Sequence, residues 1–91
     1  MSKSDLERMI EALDRLAAAD FAMGAEWKAV HDICQNHEGE PPFDWGHALC
    51  HRVEGDDGNA AYWYRRAGKP IARVAIAAEW TAMRPELSTL A

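Results

Sequence analysis

Cysteine is scarce in this 91-residue sequence, which holds only Cys34 and Cys50. Two thiols can make at most one bridge, which excludes a disulfide-built mini-protein. Long apolar runs are missing as well. The best stretch, Ile71 to Trp80, is interrupted by Arg73 and Glu79, so no segment reads as a membrane span. Met1–Asp5 leads straight into an amphipathic pattern, without the apolar run of a secretory signal. The expectation is a cytoplasmic protein with reduced thiols. Positive charge is also in short supply: ten Lys and Arg face fifteen Asp and Glu, a net charge of −5. Non-specific nucleic-acid binding needs a basic face to release counterions, so neither nucleic acid nor membrane is expected as a partner. There is no Walker-type or dinucleotide glycine loop and no internal repeat.

What is present suits one small helical domain. Hydrophobic residues make up 48% of the chain, enough for a single core at this length. Charge is unevenly spread along it. Residues 31–59 hold one base, seven acids and all four histidines, whereas residues 60–84 hold five bases and one acid. An acidic, histidine-bearing middle followed by a basic stretch is the first functional hint.

No segment alternates with period two for long enough to be a strand, so the fold class is all-α, a compact bundle of about five helices over residues 1–91. Ser4 and Glu7 form a capping-box signature ahead of Leu6, Met9, Ile10, Leu13, Leu16 and Ala17 at helical spacing, predicting a helix over about 5–20. A second helix is expected over 25–37, ended by Gly39, Pro41 and Pro42. A third, with Asp44 as N-cap, should run over 44–54, and a fourth over 59–67 until Gly68. Pro70 suits the first turn of a last helix over 70–83, closed before Pro85. Read that way, the last helix is apolar on nearly all sides, which points to a central position in the bundle or to self-association through it.

The informative stretch is His47 to Asp56. With Trp45 at zero on a helical wheel, Leu49 and Val53 form an apolar stripe, while His47, Glu54 and His51 fall at about 200°, 180° and 240°. Spacings of four and three bring these three side chains together. Two imidazoles and a carboxylate are ligands for zinc or non-haem iron, given further donors. His31, Gln35 and Glu38 on the second helix are placed to face them, with Asp56 as a ligand or supporting group. A solvated helix face carries the same pattern, with His51 and Glu54 as a weak surface pair.

The other polar residues divide more simply. His37 sits near a helix end, where an imidazolium favours the dipole, and reads as structural. Cys34 and Cys50 read as small core hydrophobes rather than nucleophiles, since Cys50 and His51 diverge by about 100°. Trp27, Trp45 and Trp80 fall on apolar stripes. Arg65 or Arg66 is expected to close over Glu54, Asp56 or Asp57. The oxygen-rich Asp56-Asp57-Gly58-Asn59 lacks the alternation and distant glutamate of a calcium loop.

From Trp27 through Tyr64 the chain reads Trp27-x3-His31-x3-Gln35, then Trp45-x-His47-Ala48-x2-His51-Arg52-x-Glu54-Gly55-Asp56-x2-Asn59-Ala60-x-Tyr62-Trp63-Tyr64. This resembles a family of short, largely uncharacterised bacterial proteins with fungal relatives. The resemblance brings no activity with it. It implies that His31, Gln35, His47, His51, Arg52, Glu54, Asp56, Asn59, Trp63 and Tyr64 belong to one local structure, and Cys50 stands where an aliphatic residue is expected. Three functions stay open. The first is a binding or accessory module with a His/Glu/Asp-lined pocket for a small-molecule ligand or a metal. The second is a hydrolase-like enzyme using metal on His47, His51 and Glu54, and the third a structural homodimer.

Overall fold

The computed structural model describes residues 2–91 and contains five helices: α1 Asp5–Ala18, α2 Ala25–Gln35, α3 Pro41–Val53, α4 Asp57–Ala67 and α5 Ile76–Leu90. There is no strand among the described residues, so the all-α expectation holds. The capping box forms as the sequence predicts: the Ser4 hydroxyl accepts from Glu7 N at 3.1 Å, and the Glu7 carboxylate accepts from Ser4 N at 3.3 Å. α1 stops two residues early because Asp20 and Phe21 both adopt left-handed backbone, at φ 57° and 54°. Gly39, Gly55 and Gly68, at φ 94°, 83° and 72°, provide the turns that follow α2, α3 and α4.

Three expectations about helix limits need correction. Pro41 and Pro42 do not merely end α2; they occupy the first turn of α3, where a missing N–H breaks no helical bond. Asp44 is therefore inside α3 rather than its N-cap, fully buried, and it accepts from Gly39 N at 3.1 Å. α4 begins at Asp57, capped by the Asp56 carboxylate on Asn59 N at 3.2 Å.

The last helix differs most. Residues 68–75 form a non-helical strap in which Ile71 and Val74 are about half exposed, so the all-round apolar face expected of 70–83 does not exist. α5 starts at Ile76 and continues through Pro85, because Leu87, one turn beyond Met83, is completely buried in the core. The carbonyl of Thr81, which proline cannot bond, lies on an exposed residue that water can solvate.

The central helix is α3. Phe43, Asp44, Gly46, His47, Ala48, Leu49, Cys50 and His51 are all buried. α2 and α4 both pack on α3 and not on each other, while α1 and α5 cover its remaining side. Met9, Leu13, Leu16, Val30, Leu49, Met83 and Leu87 form the main core, and Ala48, Ala60, Trp63 and Tyr64 form a smaller one between α3 and α4. Gly46 permits the closest approach: a Cβ there would lie 2.7 Å from Met9 Sδ and 3.0 Å from Cys34 Sγ.

One buried polar network spans three helices. Arg52 Nη1 of α3 donates to Glu79 Oε1 of α5 at 2.6 Å, and Arg52 Nη2 donates to the Val74 carbonyl of the strap at 2.7 Å. The Tyr64 hydroxyl of α4 donates to the other Glu79 oxygen. Burial, then the adjacent Glu79 carboxylate, raises the Tyr64 pKa, so the phenol stays protonated and keeps donating. Asp14 of α1 holds the outer face of α5 through Arg84, at 2.9 and 2.8 Å, and Trp80 Nε1 at 3.3 Å.

Two stability outcomes follow from this packing. Gly46→Ala overfills the α1–α2–α3 contact and should lower unfolding free energy by about 1–3 kcal/mol in urea titration. Glu79→Ala leaves Arg52 half-enclosed without its counter-ion and should lose about 3–5 kcal/mol, measured the same way.

Candidate functional site

Asp44, His47 and His51 of α3 and its C-cap residue Glu54 have a 3-4-3 spacing that keeps them on one face. That face looks into the seam between α2 and α4. His47 and His51 are only 3% and 8% exposed, because His31 of α2 and Trp63 of α4 cover them. The wheel set these histidines opposite the Trp45–Leu49–Val53 stripe, and they are opposite it. Both sides of α3 are buried, however, so the solvated-face alternative fails for His47 and His51.

Three imidazoles converge in the seam. Ring centroids are 4.8 Å apart for His31–His47, 5.7 Å for His31–His51 and 4.9 Å for His47–His51. One nitrogen from each ring lies within 4.8 Å of the other two. Two indoles brace the cluster: Trp27 stacks on His31 at 4.8 Å, and Trp63 stacks on His47 at 3.9 Å. Trp27 is itself fixed by donating from Nε1 to the Cys50 carbonyl at 2.8 Å, which ties α2 to α3 beside the rings.

The tautomers follow from their partners. Glu54 lies 2.5 Å from His51 Nδ1, and a carboxylate only accepts, so Nδ1 carries the proton and Nε2 is left for another role. His47 Nδ1 is buried and has no hydrogen-bond partner among the described residues. Burial lowers the His47 pKa to about 4, helped by His51 and then His31, so this ring is neutral at pH 7. A neutral imidazole with an unpaired nitrogen in a cluster of imidazoles has the chemistry of a metal ligand.

The remaining sequence candidates divide between this seam and other places. Glu54 supports His51, and a second group, His51, Glu54 and Asp56, lies nearer the surface within the same 4.8 Å spacing. Asp56 is already engaged as the α4 cap, its other oxygen accepting from Asn59 Nδ2 at 2.7 Å. Gln35 is exposed on α2, at the outer edge of the seam. Arg52 and Tyr64 leave the group, because both bind Glu79 of α5. Of the ten residues grouped by the sequence pattern, eight lie on α2, α3 and α4, Glu54 and Asp56 cap the turn between α3 and α4, and Arg52 and Tyr64 bind Glu79 instead of joining the imidazoles.

Arg66 does not close over Glu54, Asp56 or Asp57. Its guanidinium donates to the Tyr62 hydroxyl at 2.8 Å and lies 5.3 Å from the Trp63 ring centre, toward Gly39. His37 is structural as expected. It bridges Asp5 and Glu40 at 2.7 Å each and stacks on Phe43 at 4.0 Å, and hydrogen bonds to Asp5 and then Glu40 raise its pKa. Sequence reasoning missed the Glu79 network and the enclosure of α3. A signal for the second was present: between Pro41 and His51 the only charged residue is Asp44.

No protein-family model matches the chain, and comparison with curated proteins and with solved structures gives no match. No helix among the described residues is long and apolar enough to cross a membrane.

The His47 environment has a pH consequence. The unfolded ring binds a proton near pH 6.5 and the folded ring near 4, so the unfolded state takes up more protons between them. Stability from this group is complete above pH 6.5 and falls as pH drops toward 4, by up to about 3 kcal/mol. Urea midpoints of the wild type should decline across that window more steeply than those of His47→Phe.

Proposed function

We propose that this protein is a small metal-binding module in which His31, His47 and His51 hold one divalent transition-metal ion, with zinc the first candidate. The observation that supports it is the convergence of three imidazole nitrogens from two helices within 4.8 Å. On a tetrahedral zinc at about 2.0–2.1 Å, ligand nitrogens lie about 3.4 Å apart. Closing that difference requires the three imidazoles to draw together around the ion. The Glu54–His51 bond has the form of a carboxylate that orients a ligating histidine. Compared with the sequence expectation, His31 takes the third ligand position and Glu54 the supporting one. Iron is the other metal the sequence suggests, and three nitrogens with no carboxylate in the inner shell favour zinc over it.

On this reading the stretch from Trp27 to Tyr64, which carries the family resemblance, is the part that builds and braces the site. Two reduced thiols buried beside it suit a cytoplasmic setting. A second reading, a metal-dependent hydrolase, is favoured by one feature: three protein nitrogens leave a coordination position for water, with the Glu54 and Asp56 carboxylates close to His51.

Titration of metal-free protein with Zn²⁺, and with Co²⁺ as a spectroscopic stand-in, tests the proposal. One equivalent should bind and raise the melting temperature. His31→Ala should lose the site, whereas Glu54→Gln should keep its stoichiometry with affinity about 10–100-fold lower. Absence of binding, or equal binding by His31→Ala, overturns it.

A further inference from the structure

A trough lies open on the surface between the start of α3, the end of α4 and the last turns of α5. Pro41, Pro42, Trp45, Ala67 and Leu90 wall a cavity of about 540 Å³ there. A second cavity of about 310 Å³ lies against Ile71, Val74 and Met83, and the two share Trp45, Lys69 and Glu86. Ile71, Val74 and Leu90 are among the few large apolar side chains that the fold leaves exposed. No imidazole lines either cavity, so the trough is separate from the histidine seam.

Lys69 stands at the junction of the two cavities. Its backbone is fixed by the end of α4: Gly68 takes the left-handed cap position and Lys69 N donates to the Tyr64 carbonyl at 3.0 Å. Its ammonium lies 4.3 Å from the Trp45 ring centre and 2.8 Å from Glu86 Oε1. The Thr89 hydroxyl, also in the wall, already donates to the Pro85 carbonyl at 2.9 Å. The two charges are not equivalent. The Lys69 side chain is 32% exposed and rests over the indole, whereas that of Glu86 is 61% exposed. An exposed ion pair contributes little, so Glu86 swings into water at small cost while the ammonium keeps its seat.

We propose that this trough binds a linear monocarboxylic acid of the fatty-acid type, its carboxylate displacing Glu86 from Lys69 and its alkyl chain lying against Trp45, Pro41, Pro42 and Leu90. Apolar walls with one seated cation suit a long apolar body with a single anionic end, because further polar groups would be buried unpaired. A cationic amphiphile is disfavoured, since the Lys69 ammonium already covers the Trp45 face and repels a second cation. Chain burial supplies the affinity, and the charge-assisted bond to Lys69 fixes which end sits at the junction. Binding forms no covalent bond and does not depend on the imidazole site.

The test is a titration of the uniformly ¹⁵N-labelled full-length chain with sodium decanoate, followed by amide and indole N–H shifts. The shifts should saturate at one equivalent and centre on the Trp45 indole, Lys69 and Leu90. Octanoate should bind about 10-fold more weakly, because two fewer methylene groups are buried. Lys69→Gln should weaken decanoate binding at least 10-fold, to the level of decan-1-ol. Glu86→Gln, which frees the ammonium, should tighten it several-fold. Both substitutions replace side chains that reach solvent, and the amide spectrum shows directly that each variant is folded. Decan-1-ol binding the wild type as tightly as decanoate, equal decanoate binding by Lys69→Gln, or weaker binding by Glu86→Gln overturns the proposal. Shifts that fail to saturate or that scatter over the whole surface overturn it as well.

Discussion

The structure depends on enclosing α3. A helix buried on every side has to satisfy neighbours of unlike chemistry, and α3 does so by segregating its faces. Leu49, Cys50 and Phe43 meet the apolar core, His47 and His51 meet the α2–α4 seam, and Arg52 meets Glu79. Two of the covering helices are held to it by directional bonds. Trp27 fastens α2 through the Cys50 carbonyl, and Glu79 fastens α5 through Arg52. Burial supplies most of the driving force, and these bonds give Arg52 and Glu79 their partners as they are enclosed.

The imidazole cluster follows from that enclosure. On an exposed helix, His47 would be solvated, protonated near pH 6.5 and free to change rotamer. Held between Trp63, His51 and His31, it is neutral and its ring plane is fixed. The same packing that desolvates the ring gives it the protonation state a metal ligand needs. Support for His51 is local instead: Glu54, one turn further along α3, makes the bond whatever α2 does.

How much of this was legible depended on whether the signal was local. The Ser4–Glu7 capping box, the α1 stripe and the glycine turns are short-range effects, and the sequence shows them directly. So is the grouping of His47, His51 and Glu54, which only requires helical spacing. His31 could be placed on the facing helix but not ranked above Glu54 as a ligand, since that choice depends on how α2 packs. Arg52, Tyr64 and Glu79 are separated by up to 27 residues, and nothing local tells an arginine beside a histidine motif to turn the other way. Pro85 misled for a related reason. Its helix-breaking tendency is a local preference, overridden by burial of Leu87.

The position of α5 bears on the order of events during folding. Helices α1 to α4 are chain neighbours joined by short turns, and their contacts close small loops. α5 attaches through Tyr64 and Lys69, 15 and 17 residues back, and through the more distant Arg52 and Asp14, the latter 70 residues from Arg84. Loop-closure entropy therefore places its docking last and its release first. The four-helix part that carries all three imidazoles can form before α5 arrives, and α5 then acts as a latch whose opening exposes the core while leaving the α2–α4 seam assembled.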